Sequence, residues 1–335
     1  MAIDAARATL ATTGAVWRQT HLLDVDDLTP AEFEAVFQTA DAMQEVLTRE
    51  IRRVPTLRGK TLAILFYEAS TRTRVSFEIA AKALGADVVN LAAASSSVSK
   101  GESLVDTVRT LQAIGVDAVA LRHPQAGAPY VAARHLQCAV INAGDGWHAH
   151  PTQALLDLYT VRQHRGSIHG LKMVIVGDIL HSRVARSNLW GFNALGARVV
   201  LCAPPTMLPR SVYQERAGLP AGRHGLPSFE VEPRLEHALE DADVVMALRL
   251  QTERQHTAYL GSLRDYIRLY QINSNRLRLA KPNALLMHPG PTNEGVELTA
   301  EVAQSAQSVI QDQATNGVAV RMALLYLLLA GGAVQ

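Results

Sequence analysis

Five consecutive residues, Ser70-Thr71-Arg72-Thr73-Arg74, carry three hydroxyls and two guanidiniums between an apolar run and a stretch of helical spacing. Backbone N–H groups at a helix start lack partners within the helix and carry partial positive charge. Hydroxyl donors and guanidinium forks added there make a site for a phosphate or a similar dianion. A helix cap needs one Ser or Thr; three hydroxyls with Arg72 exceed that need. Two later arginines follow apolar, strand-like runs: Arg183 after LKMVIVGDILHS and Arg249 after DVVMAL. Arginine supplies 27 of the 32 cations, so a surface arginine is commonplace here. Position at a strand end is what singles these two out, and their planar forks suit carboxylates. His150 admits three readings: a helix-start residue fixed by Pro151, one of a metal pair with His148, or a neutral hydrogen-bonding histidine. The metal reading is the weakest, because no further His, Cys or carboxylate cluster stands at ligand spacing.

These residues need elements to place them. Thr29, Pro30 and Glu32 predict a capped helix start, with Phe33, Val36, Phe37 and Ala40 on one face. Strands are expected at 61–66, 87–91, 117–121 and 139–142, then at 171–177, 198–202, 243–247 and 284–287. Helices are expected at 70–84, 104–114, 150–162 and 187–195, those before Gly85 and Gly196 stopped by the glycine. Apolar strands alternating with helices predict α/β architecture: two lobes, each a parallel sheet covered by helices. The hinge falls near His150, and 204–233, rich in Pro, Gly and charge, reads as a long surface loop. In parallel sheets ligands bind at the carboxyl ends of strands, where 70–74 belongs.

Other classes are excluded on simple grounds. The formal charge is +1, with 32 basic and 31 acidic residues, so no global field exists to hold nucleic acid or an anionic membrane. The opening residues lack the basic start and apolar run of a signal peptide. The apolar stretch 322–330 is too short to span a bilayer and reads as a buried terminal helix. Cys138 and Cys202, far apart, read as small buried hydrophobes in a reducing, cytoplasmic setting. GxxxxGK[ST] is missing, and the turn in VIVGDILHSRVARS has one glycine where a dinucleotide loop wants three.

STRTR after a strand, SSSVSKGES in a loop, RHPQ at 122–125, HPTQALLDL at 150–158, ALRLQTERQ at 247–255 and HPGP at 288–291 occur in the order of the carbamoyltransferases. The chain resembles that family, on its aspartate side. The resemblance implies two α/β domains with the active site in the cleft between them. A carbamoyl-phosphate-binding domain is expected over 1–150, joined by the C-terminal helix 308–335, and an aspartate-binding domain over 151–307. It implies carbamoyl transfer from carbamoyl phosphate to L-aspartate, the committed step of pyrimidine synthesis, with no cofactor and no metal. It implies that Ser70, Thr71, Arg72 and Thr73 hold the phosphate, and that Arg122, His150 and Thr73 flank the carbonyl oxygen. Gln153, Gly290 and Pro291 would meet the carbamoyl amino group. Arg183 and Arg249, with Gln251, would take the carboxylates of aspartate. Lys100 and Ser96, or Ser97, would come from the neighbouring chain of a homotrimer; by composition alone their loop is an ordinary solvated one. Arg321 carries structural weight. Regulatory chains or dihydroorotase would be the partners of a larger assembly. An ornithine-type transcarbamoylase is the nearest rival, and a non-catalytic scaffold is a more distant one, since every expected charged position is filled.

Overall fold

The computed structural model describes residues 17–92, 102–209, 227–250 and 262–330. The chain divides into two units: one takes the described residues through Tyr159 and again from Ala314, the other takes Thr160–Gln313.

In the first unit, helix α1 (Pro30–Thr48) opens on the reciprocal cap that the sequence predicts. Thr29 Oγ1 accepts from the Glu32 amide at 3.3 Å, and Glu32 Oε2 accepts from the Thr29 amide at 2.9 Å. Strands β1 (Thr61–Phe66), β2 (Asp87–Ala92), β3 (Ala118–His123) and β4 (Ala139–Asp145) alternate with helices α2 (Thr71–Ala83), α3 (Leu104–Ala113) and α4 (Ala128–His135). The order among the described strands is β2-β1-β3-β4, with all pairs parallel. Ala63, Leu65, Val119, Leu121 and Val140 form one core cluster with Val108 and Leu111 of α3 and Ala132 of α4. Leu62, Ile64, Ala118, Ala120 and Ile141, at the alternate positions, are buried as well. Both faces of the sheet are therefore covered, which is why the strands read as continuous apolar runs rather than alternating ones.

Helix α5 (Pro151–Arg165) carries the chain into the second unit. There β5 (Lys172–Val176), β6 (Arg198–Cys202), β7 (Glu230–Val231), β8 (Val244–Ala247) and β9 (Leu285–Met287) pair in the order β7-β6-β5-β8-β9, again all parallel. Helices α6 (Arg183–Ala194), α7 (Leu235–Leu239), α8 (Leu263–Tyr270), α9 (Ser274–Leu277) and α10 (Ala300–Ala303) accompany them. Helix α11 (Ile310–Leu329) returns to the first unit, with Ala319, Val320, Met322, Ala323, Leu324 and Leu325 all buried. No helix among the described residues is long and apolar enough to cross a membrane.

Three expectations need correction. The stretch 204–233 is not one loop: Pro205–Met207 is a 3-10 turn and Glu230–Val231 pairs with Val200–Leu201 as an edge strand, while 210–226 lies outside the described residues. A two-residue strand supported only by its neighbour leaves no periodicity to detect. Helix α6 begins at Arg183, four residues before the expected start, because Ser182 caps it by accepting from the Ala185 amide at 3.1 Å. Cys202 is buried, which pushes its thiol up to about 12, but Cys138 is only half-buried.

One close approach ties the turn after β4 to the segment after β3. Gly146 has φ 47°, and a Cβ there would lie 2.8 Å from the Ala126 amide nitrogen and 3.0 Å from the Pro124 carbonyl. Both are backbone atoms, so neither can swing aside. Gly146→Ala is expected to destabilise the protein by about 1–3 kcal/mol. Thr29→Ala, which removes the α1 cap, should cost about 1 kcal/mol. Urea unfolding midpoints at constant m-value measure both; an unchanged midpoint for Gly146→Ala would mean that the two segments can separate freely.

Candidate active site

Chain order reverses beside β1, with β2 on one side and β3 on the other. Such a switch point opens a crevice at the carboxyl ends of the flanking strands, the usual ligand position in a parallel sheet. Two expected groups meet there. Ser70 is the N-cap of α2, with extended backbone (φ −160°, ψ 95°), and its side chain makes no capping hydrogen bond. The hydroxyl that would have closed the helix end is therefore not spent on it. Thr71 and Arg72 are exposed and Thr73 is buried. Arg74 has a separate task, its guanidinium carbon standing 5.7 Å from the centre of the Phe66 ring.

Arg122 stands level with Phe66, the last residue of β1. The register between β3 and β4 slips here: Leu121 faces Asn142 and His123 faces Asp145, so Arg122 meets two residues, Ala143 and Gly144. Bulges of this kind re-aim a side chain near a site. Arg122 Nη1 donates to the Ala143 carbonyl at 3.3 Å, and its Nε lies 3.4 Å from Glu68 Oε2. Glu68 escaped the sequence reading, although an acid immediately before a cationic turn was the available signal. Its carboxylate holds the guanidinium at the strand end.

His150 is buried, at 4% exposure, and its carbonyl starts α5 by accepting from the Gln153 and Ala154 amides at 3.0 and 3.2 Å. Gln153 is buried and donates through Nε2 to Asp157 Oδ1 at 2.9 Å. Arg321 on α11 ties the two site-bearing helices together. It donates through Nη1 to Ser76 Oγ of α2 at 2.9 Å and to the Gly317 carbonyl at 3.0 Å, and through Nη2 to Thr152 Oγ1 of α5 at 3.3 Å. Its guanidinium also lies 5.2 Å from the Phe77 ring centre. Burial pulls this group down to about 10, with Asp157 acting in the opposite sense. It remains a cation at neutral pH and acts as a bolt between α2 and α5.

The second unit has its own switch point, with β6 and β8 on opposite sides of β5. Val176 pairs with Ala247, so the segments leaving β5 and β8 start side by side. Gly177 permits this, since a Cβ there would sit 3.0 Å from the Leu248 carbonyl. Arg183 is the first residue of α6 and is buried; Arg249 is half-buried just beyond β8. Asp178 and His181, which the sequence reading passed over, shape the turn before Arg183. Both are buried, with His181 Nδ1 at 2.8 Å from Asp178 Oδ1 and 3.0 Å from Oδ2. The turn holding Gly290 and Pro291 also belongs to this unit, and the Gly290–Pro291 bond is cis. His288 Nδ1 accepts from the Gly290 amide at 2.8 Å, so its proton sits on Nε2, which points at Glu297 Oε1 at 3.2 Å. Asn293 Nδ2 donates to the Leu250 carbonyl at 3.3 Å and joins this turn to the Arg249 segment.

Ser70, Thr71, Arg72, Thr73, Arg122, His150 and Gln153 thus belong to the first unit, and Arg183, Arg249, Gly290 and Pro291 to the second. Ser96, Ser97, Lys100 and Gln251 lie outside the described residues.

Comparison with known proteins also divides the chain in two, although the second match runs on through 314–328, which the structure assigns to the first unit. Residues 20–163 match the model of the aspartate/ornithine carbamoyltransferase carbamoyl-P binding domain, and residues 169–328 match that of the Asp/Orn binding domain. The aspartate carbamoyltransferase catalytic subunit of Roseiflexus sp. (strain RS-1) is 58% identical over 93% of this chain and 95% of its own length. That of Dehalococcoides mccartyi (strain CBDB1) is 53% identical over 93% and 92%. Among solved structures, aspartate transcarbamoylase from Trypanosoma cruzi in complex with carbamoyl phosphate superposes with a TM-score of 0.82 at 31% identity, covering 92% of this chain and 96% of that one. Ornithine carbamoyltransferase from Pyrococcus furiosus gives 0.81 at 33% identity, covering 93% and 97%. With both domain models matched in order and relatives more than half identical over nearly the whole length, the chain belongs to the aspartate/ornithine carbamoyltransferase family.

Proposed function

We propose that the protein transfers the carbamoyl group of carbamoyl phosphate to the amine of L-aspartate, giving N-carbamoyl-L-aspartate and phosphate in pyrimidine synthesis. The observation that carries this reading is the pair of switch points, each with arginine at the strand ends. One combines a helix N-terminus, hydroxyls and Arg72, which suits a dianion. The other offers Arg183 and Arg249, which suit two carboxylates. Ornithine has one carboxylate and an additional cation, so a second arginine repels it. The solved folds of aspartate and ornithine enzymes match this chain equally well; the second-substrate residues and the more similar aspartate-type relatives favour aspartate.

In this mechanism the deprotonated amine attacks the carbamoyl carbon, and negative charge grows on the carbonyl oxygen. Arg122, His150 and Thr73 donate to that oxygen, each such donor being worth about 3 kcal/mol, or about a hundredfold in rate. The C–O bond to phosphate then breaks, and the phosphate leaves with the proton released by the amine. No covalent enzyme intermediate is required; positioning and charge stabilisation supply the rate. Gln153, Gly290 and Pro291 take the carbamoyl amino group, and Gln251 assists at the aspartate end. Ser96 and Lys100 act from the adjacent chain of a homotrimer, and the setting is cytoplasmic.

Initial rates with aspartate and with ornithine, at fixed carbamoyl phosphate, test the substrate. Aspartate should be carbamoylated at least about a hundredfold faster; a preference for ornithine would sink the assignment. Arg72→Ala and Arg122→Ala should each lower kcat by about a hundredfold or more. An effect confined to KM would count against Arg122 as a donor to the carbonyl oxygen and against Arg72 as a group that stabilises the departing phosphate.

A further inference from the structure

The turn that delivers His150 to the end of β4 is built around one buried carboxylate. Asp145, the last residue of β4, is fully buried. Its Oδ1 accepts from the Ala149 amide at 3.0 Å and from Asn142 Nδ2 at 2.9 Å. Its Oδ2 accepts from the Gly127 amide, at the start of α4, at 2.7 Å. His148 Nδ1 stands 3.2 Å from both oxygens. The main chain closes the same loop, since the Asp145 amide donates to the Ala149 carbonyl at 3.1 Å and the His148 amide donates to the Asp145 carbonyl at 2.9 Å. The Gly146 amide adds a bond to the His123 carbonyl at 2.9 Å, next to Arg122.

Each hydrogen bond to this carboxylate is donated to it, so the ionised form fits and a neutral amide does not; the acid Asp24 lies on the far side of His148, 3.7 Å from its Nε2. Burial by itself would push the carboxyl up, but the bonds from His148, Asn142 and Gly127 outweigh it and hold the group below the usual carboxylate range. The residue after Ala149 is His150, and Arg122 leans on the carbonyl of Ala143 within the same segment. A carboxylate that clamps three elements at this point sets where the imidazole starts. His148, in the Trp147-His148-Ala149 stretch before HPTQ, closes the clamp from its outer side.

We propose that Asp145 is a positioning residue for carbamoyl transfer: it fixes the 145–149 turn and so aims His150 at the reacting carbonyl without touching substrate. The inference rests on the role given to His150 above. Its test is kinetic, on the full-length enzyme, with Asp145→Asn, His148→Ala, His150→Ala and the doubles of the first two with the third. Asp145→Asn should lower kcat about 10- to 100-fold while KM for carbamoyl phosphate stays within about threefold, because the phosphate donors at 70–73 are untouched. His148→Ala removes the half-exposed donor together with its contacts to Asp24 at 3.7 Å and to the Tyr130 ring, but leaves the main-chain and Asn142 bonds to Asp145, so it folds if Asp145→Asn does not; it should lower kcat about 3- to 10-fold. Each double should be no more than about threefold slower than His150→Ala alone, since the loss runs through His150. Asp117→Asn serves as the control for mere loosening. Asp117 accepts from Lys60 Nζ at 2.8 Å and from the Thr61 amide at 2.9 Å, at the opposite ends of β1 and β3. It should lower the unfolding midpoint and leave kcat unchanged. Losses that multiply in the doubles, a wild-type kcat for Asp145→Asn, or an equal kcat loss in Asp117→Asn would each overturn the positioning role. A wild-type kcat for His150→Ala would instead remove the reading of the site on which it rests.

Discussion

Carbamoyl transfer joins two anions, and holding negative charge at the ends of parallel strands is the constraint from which the rest of the structure follows. A carboxylate or phosphate gives up hydration on binding, so donors and cations must already be in place to replace it. A parallel sheet provides two of the requirements without extra cost. Its helices begin at the carboxyl ends of strands, with amides unpaired, and its switch point leaves a crevice between them. Both units use this device. In the first, Ser70 starts α2 without capping it through its side chain, and Arg122 stands at the neighbouring strand end. In the second, Arg183 starts α6 and Arg249 follows β8.

Cations in such a place also need fixed partners when no anion is bound, and the surroundings are polar and closely bonded. Glu68 beside Arg122, the Asp178–His181 pair before Arg183 and the His288–Glu297 pair under Gly290 are each within hydrogen-bonding or ion-pairing reach. Two of these pairs lie wholly in the interior: His181, Asp178, His288 and Glu297 are all under 3% exposed. Buried polar pairs of this kind contribute little net stability, and removing one member leaves the other unsatisfied, which is costly. Their value is in fixing geometry. Arg321 illustrates the point, since its bonds reach two hydroxyls on different helices and one carbonyl rather than an acid at bonding distance. A hydrophobe in its place would leave Ser76 and Thr152 without that donor and α2 and α5 without a shared reference.

Much of the fold was legible in the chain itself. β1 and β6 stand at their expected limits, and the Thr29–Glu32 cap appears with both bonds, because local spacing alone decides such features. Helix α4 and the edge strand β7 were not anticipated. Gly127 takes the left-handed conformation at φ 83° to start α4, and Glu230–Val231 becomes a strand only by pairing with β6. Of the site, the hydroxyl and arginine groups announced themselves by type and density. The acids that hold them did not, since Glu68, Asp145 and Asp178 look like ordinary surface residues until their partners are known.

What the residues by themselves determined is chemical type: hydroxyls and guanidiniums that suit a dianion at 70–73, arginines after strands, and a histidine at the head of a helix. Those are properties of side-chain type and short-range spacing, which a linear chain carries in full. Tertiary structure decided which of these groups stand in the same unit and what bonds hold each of them. Strand order, the bulge opposite Arg122 and the bonds converging on Asp145 join residues that lie 3 to 18 positions apart, or on different strands. Such pairings are set by the packing of whole elements, and no local pattern encodes them.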